Sequence, residues 1–157
     1  MYCYRVTKYN PALRNINGYY ELDDWTSVSD IGSIFNNQVL TEADYLKIEN
    51  SYIETAVSIL EEAKISFLEI TDIEQRGYEM ALKNGQKIYR DQWRDVIRSM
   101  LREELWCRLC NKDSYVHIGY DYYMYVGVPI EPTASLRKAL EISIYIEDFI
   151  SPYILID

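Results

Sequence analysis

The sequence predicts an α+β domain: a mainly antiparallel sheet with two long amphipathic helices and one short helix packed on one face. Three observations lead there. Residues near both ends alternate with the two-residue period of strands. Two central segments repeat apolar residues at helical spacing, and turn-forming residues separate the later strands closely enough for hairpins. With 157 residues, the chain fits one domain spanning 1–157. A chain of that size buries roughly two-thirds of the surface that its unfolded form exposes.

The first strand is read from YCYRVTKY (2–9), where Cys3, Arg5 and Thr7 alternate with Tyr4, Val6 and Lys8 before Asn10–Pro11 stops it. The following stretch through Asn37 is long and mostly irregular, with an Asn17–Gly18 turn and a short helix capped by Ser29. Connections above about fifteen residues are uncommon unless they carry a function, so this excursion is a functional candidate on length alone. Thr41 and Asp44 open the first long helix with a shortened capping box. A broad apolar arc then runs through Tyr45, Ile48, Tyr52, Ile53, Val57 and Leu60.

ISFLEITDI (65–73) reads as the second strand, after which Gly77 and Asn84–Gly85 interrupt the pattern. A second amphipathic helix is expected from Lys87 to about Glu104, with Tyr89, Trp93, Val96, Ile97, Met100 and Leu101 on one side. Strands follow near 105–110, 114–119 and 122–128, joined by turns at NKD and GYD. A short helix after Pro132 and a last strand at 144–150 complete the order. In YDYYMYVG both strand faces are aromatic or apolar, which marks a central strand.

Charge is unevenly laid out. The chain carries −9 at neutral pH, yet residues 10–80 hold four basic and fourteen acidic groups, while 81–112 hold eight basic and four acidic. An acidic protein of this kind lacks the clustered cations that capture nucleic acid or anionic membrane; its charge suits a basic protein partner, or serves as a solvated, solubilising face with none. Three cysteines, no positively charged leader and no run of eighteen apolar residues lead to the expectation of a reduced, cytoplasmic protein. Oligomeric state is not legible at this level.

Several chemistries were weighed from the residues. Cys107 and Cys110 form C-x-x-C, but alternation on a strand puts the two thiols on opposite faces, so packing accounts for them better than redox or zinc chemistry. His117, the one histidine, invites a general-base role with Asp121; the plainer account is a strand histidine on a half-exposed face. No nucleophile elbow, H-E-x-x-H, Walker loop or G-x-G-x-x-G occurs, and no cofactor is expected. Arg90, Arg94, Arg98 and Arg102 form a ridge at four-residue spacing. It is suited to an anion, or to pairing with local carboxylates such as Asp91 and Asp95. Glu21, Asp23, Asp24 and Asp30 surround Trp25, a candidate apolar anchor within an acidic rim; Tyr123 and Tyr125 are secondary candidates for contact.

At YRVTKYNP, DDWTSVSDIG and HIGYDYYMYVG the chain resembles immunity proteins of bacterial polymorphic-toxin and contact-dependent inhibition systems. The resemblance rests on these stretches together with size, acidity and the lack of a catalytic motif. It implies a protein that binds a cognate toxin domain and blocks its active site, with no catalytic residues to carry over. Many such toxin domains are cationic nucleases, which agrees with the charge. The expected function is therefore a non-catalytic, acidic inhibitor that contacts its partner through Glu21, Asp23, Asp24, Trp25, Asp30, Tyr123 and Tyr125. Two rivals stand beside it. One is a small enzyme or ligand-binding protein using His117 and Asp121 with Arg94 and Arg98. The other is a protein that self-associates through an exposed edge at the tyrosine strand.

Overall fold

The computed structural model describes residues 1–75 and 82–154. Its elements in chain order are β1 (Tyr2–Thr7), β2 (Ile34–Phe35), β3 (Gln38–Val39), α1 (Glu42–Glu62), β4 (Phe67–Gln75) and β5 (Lys87–Tyr89). They continue with α2 (Arg90–Leu101), β6 (Leu105–Cys110), β7 (Tyr115–Ile118), β8 (Met124–Val128), α3 (Thr133–Glu141) and β9 (Tyr145–Asp148). Seven strands form one sheet in the order β5-β4-β6-β7-β8-β1-β9, each neighbouring pair antiparallel. The α+β class and the antiparallel sheet are as the sequence predicts.

Alternation sorts every strand residue to one of two faces. Ile70, Leu109, Val116, Val126 and Tyr4 are register partners across five strands, and all are buried under the helices. Tyr52, Ile53, Val57 and Leu60 of α1 meet this face, as do Trp93, Val96, Ile97 and Met100 of α2 and Ala139 of α3. The next row, Glu69, Cys110, Tyr115, Gly127 and Cys3, lies on the helix-free face. Here a glycine is required. A Cβ at Gly127 would stand 2.1 Å from Tyr115 Cε1, because the tyrosine ring lies flat over the bare backbone.

β8 sits between β7 and β1 with all five residues buried. The tyrosine-rich strand is therefore interior, as its two apolar faces imply. That position removes the edge which self-association through it would need.

Local signals explain the boundaries. Thr41 caps α1, its hydroxyl oxygen accepting from Asp44 N at 3.1 Å. The 3₁₀ turn at Val28–Asp30 is capped by Ser27, not by Ser29. Ser27 Oγ accepts from Ser29 N while the Asp30 carboxylate accepts from the backbone of Thr26 and Ser27. The second helix begins three residues later than its periodicity predicts. Lys87–Tyr89 pair with Phe67–Glu69 as an edge strand, and Ile88 enters the core opposite Leu68. Ile88 fits a helical stripe and a strand equally well, and the ladder decides. Trp93 Nε1 then donates to Ile88 O at 3.0 Å, locking strand to helix. Asn84–Gly85 does form a turn, whereas Gly77 lies outside the described residues.

Cys107 is buried beneath α2, its thiol against Met100 Sδ at 3.6 Å, and burial raises its pKa to about 12. Cys110 faces the other side, beside Thr71. The two thiols of C-x-x-C are thus divided by the sheet.

Candidate partner-binding surface

The excursion between β1 and α1 is tied down along its length. Lys8 lies under it with its ammonium 2.8 Å from Asp24 and 4.1 Å from the ring centroids of both Tyr9 and Trp25. Burial lowers the Lys8 pKa to about 8, although Asp24 opposes that shift. The Tyr9 hydroxyl points to the carbonyls of Trp25 and Asp121. Its ring packs on Tyr20 at 4.8 Å and on Tyr123 at 5.3 Å.

Beyond this anchor, Arg14 and Tyr20 form a β-bridge that closes a tight tip. Asn15 organises the tip. Its backbone N–H donates to Tyr19 O, its carbonyl accepts from Gly18 N, and its side-chain oxygen accepts from the N–H groups of Asn17 and Tyr19. Gly18 adopts φ +81°, the left-handed conformation such a turn uses. Arg14 secures the base by two hydrogen bonds to Glu147 on β9, which also receives two from Arg5. Burial would raise the Glu147 pKa, but the two guanidinium groups hold it below the ordinary carboxylate range.

What this framework presents is an apolar tip with an acidic flank. Ile16 is fully exposed, Tyr19 is 71 % exposed, and Glu21, Leu22 and Asp23 follow on the surface. Next comes a hairpin the sequence reading left irregular, β2–β3, turning through Asn36 and Asn37 at φ 50° and 63°. Two left-handed residues suit a two-residue hairpin loop, and asparagine tolerates that region better than most residues. Asn36 Nδ2 donates to Asp23 O, so the hairpin braces the acidic flank.

The residues singled out from sequence fare differently. Glu21 and Asp23 are exposed as expected. Trp25 is not an anchor for a partner: it is 7 % exposed and packs edge-on against Tyr122 at 4.9 Å and against Tyr45 at 5.3 Å. Asp24 is committed to Lys8, and Asp30 to the capping box. Tyr123 is half-buried beneath the Arg5 guanidinium, and Tyr125 is buried between Phe149 and Tyr153. Exposed apolar residues in this excursion include Ile16, Tyr19 and Leu22, with Leu13 before them and Ile34 and Val39 on the hairpin. The one sequence signal of the tip was an isoleucine set between turn-forming asparagines in NING (15–18).

Residues of the rival site do not converge. His117 is 4 % exposed rather than half-exposed, with Nδ1 2.8 Å from Ser151 Oγ and its ring stacked on Tyr115 at 4.7 Å. Burial, reinforced by Arg108, lowers its pKa to about 4, so the imidazole is neutral at pH 7. Asp121 lies exposed in the β7–β8 turn and takes no part in lining the cleft beside His117. Arg94 and Arg98 are on the far side of the sheet, in a seam between helices. Arg90 pairs with Glu61, Arg94 with Glu54, Arg98 with Glu49 and Asp95, and Arg102 with Glu49 through two hydrogen bonds of 2.7 and 2.8 Å. The arginine ridge is an interhelical clasp, each of its four guanidinium groups paired with a carboxylate.

No family model, curated protein or solved structure matches the chain. Among the described residues, no helix is long and apolar enough to cross a membrane.

Proposed function

We propose that the protein is a non-catalytic binding protein of the immunity type, which neutralises a basic partner, a cognate toxin domain, through the Ile16–Asp23 segment. One observation carries the reading: a fully exposed isoleucine stands on a hydrogen-bonded tip that the Arg14 guanidinium fastens to Glu147 of the sheet. A soluble protein gains nothing in stability from such a side chain. A tip already ordered before binding avoids the entropy cost of ordering it at the interface. The flanking Glu21 and Asp23 supply negative potential beside the apolar contact, in the manner of an interface core with a polar rim.

The neighbouring gene's product is the partner to test. It is expressed in a host cell with and without this protein, and growth and complex formation are measured. Co-expression restores growth, and the complex forms with 1:1 stoichiometry. Ile16→Ser combined with Tyr19→Ala weakens the complex by about 2 kcal/mol or more, the range of interface hot spots, while thermal stability is unchanged. Full protection by that double variant rules out the tip as the contact.

A further inference from the structure

The helix-free face holds a cleft of about 450 Å³ beside β6 and β7, closed on one side by the segment after β9. That volume is in the range of small-molecule sites. Its walls are rings: Tyr115 and His117 stack within 13° of parallel, and Tyr153 stands edge-on to His117 at 6.2 Å. Among the described residues, Arg108 and Lys112 line it and no carboxylate does, whereas four other clefts each have at least one carboxylate in their lining. In a protein of net charge −9, both charged side chains in this lining are basic, with Arg108 paired to Asp72 and Lys112 exposed at the rim.

One side-chain donor of the lining residues, Arg108 Nε, is buried without an acceptor. The Nη atoms of Arg108 are used on Tyr153 O and Asp72, but its Nε is shut off from solvent with no hydrogen-bond partner. Ser151 Oγ accepts from Tyr153 N and lies against His117 Nδ1. Donation from the Ser151 hydroxyl to Nδ1 satisfies both groups and places the imidazole proton on Nε2. The register that pairs Leu109 with Val116 brings Arg108 and His117 onto adjacent strands of the same face. A buried N–H without an acceptor is costly, and a ligand oxygen would satisfy Arg108 Nε while also accepting from His117 Nε2.

We propose that this cleft binds a small aromatic carboxylate. The ring lies among Tyr115, His117 and Tyr153, the carboxylate oxygens accept from Arg108 and His117, and Lys112 is at the mouth. The cleft contains none of the Ile16–Asp23 residues, so the proposal stands or falls apart from the protein-binding reading.

Because His117 is the one histidine, its ring C–H signals are a unique reporter in NMR. The full chain is titrated with naphthalene-2-carboxylate and, separately, with the neutral 2-naphthalenemethanol. The carboxylate shifts the His117 signals saturably, with a Kd below about 1 mM. The alcohol binds about tenfold more weakly, since charge-assisted hydrogen bonds are lost. Lys112→Glu, on the exposed rim, weakens carboxylate binding about threefold or more with the remaining spectrum intact. No saturable shift up to about 5 mM overturns the proposal. So does equal binding of the alcohol, which identifies an apolar hollow without an anion site, and so does undiminished binding by Lys112→Glu.

Discussion

At the scale of single residues, burial decides what a side chain is for. Trp25 lies in a run of carboxylates, and a local reading puts it on the surface. The indole turns inward because Lys8, Tyr45 and Tyr122 receive it, and the neighbouring Asp24 follows to neutralise the buried ammonium. Those partners come from the residue after β1, from α1 and from the β7–β8 turn, so sequence spacing alone did not disclose them. His117 gives a sharper test of the same principle. Its pKa is about 4 in the folded protein, against an ordinary value near 6.5. Between those values the unfolded chain binds a proton that the native state refuses. Stability from this group is therefore fully present above about pH 6.5 and is lost as pH falls toward 4. Going from pH 7 to pH 5 should cost about 2 kcal/mol in urea unfolding, and His117→Phe, which has no titrating ring, should show a flatter profile over that interval. An imidazole signal that titrates near pH 6.5 in the folded protein would contradict the burial argument.

At the scale of elements, regular periodicity was legible and competing periodicities were not. Three strands between residues 105 and 128, and the first long helix with its Thr41 cap, follow directly from alternation, capping and helical spacing. β5 was hidden because three residues are too few to display a period. The β2–β3 hairpin was hidden for the same reason. Four-residue spacing correctly aligned the arginines of α2, but their use depends on what α1 places opposite. Glu49 is wholly buried and takes Arg98 and Arg102 together, whereas Glu54 and its partner Arg94 are each more than two-fifths exposed. Solvent screens the second pair, and exposed pairs contribute about 1 kcal/mol or less. Losing hydrogen bonds between charged groups at the buried carboxylate costs more, about 2–3 kcal/mol, moderated because both guanidinium groups retain contact with water. Chemical denaturation of Glu49→Ala and Glu54→Ala should separate these values; equal losses would show that the clasp acts as a diffuse charge network.

At the scale of the whole molecule, ion pairing leaves the net charge of −9 unchanged and decides where on the surface it is felt. Asp24, Glu49, Glu54, Glu61 and Asp72 are paired with cations of the same chain, and Glu62 accepts from the first backbone N–H groups of α3. Glu21 and Asp23 are among many exposed carboxylates with no ion pair among the described residues; Asp44, Asp91, Glu131 and Asp148 are others. Under the proposed function, Glu21 and Asp23 are the surface charges placed to steer a basic partner to the tip, and Ile16 and Tyr19 supply the contact energy. The two contributions are separable in kinetics, since charges at a rim act mainly on association and buried apolar contacts act mainly on dissociation. Reversing Glu21 and Asp23 to lysine should slow association with the basic partner about tenfold at low ionic strength and leave the dissociation rate nearly unchanged. Ile16→Ser should do the opposite, accelerating dissociation while association holds. Raising salt to about 1 M, where the Debye length shrinks to about 3 Å, should bring the association rates of wild type and charge-reversed variant together. Stopped-flow or surface-based kinetics at two salt concentrations measure both rates. Association that ignores both charge reversal and salt would mean that the acidic flank serves solubility alone, leaving recognition to the apolar tip.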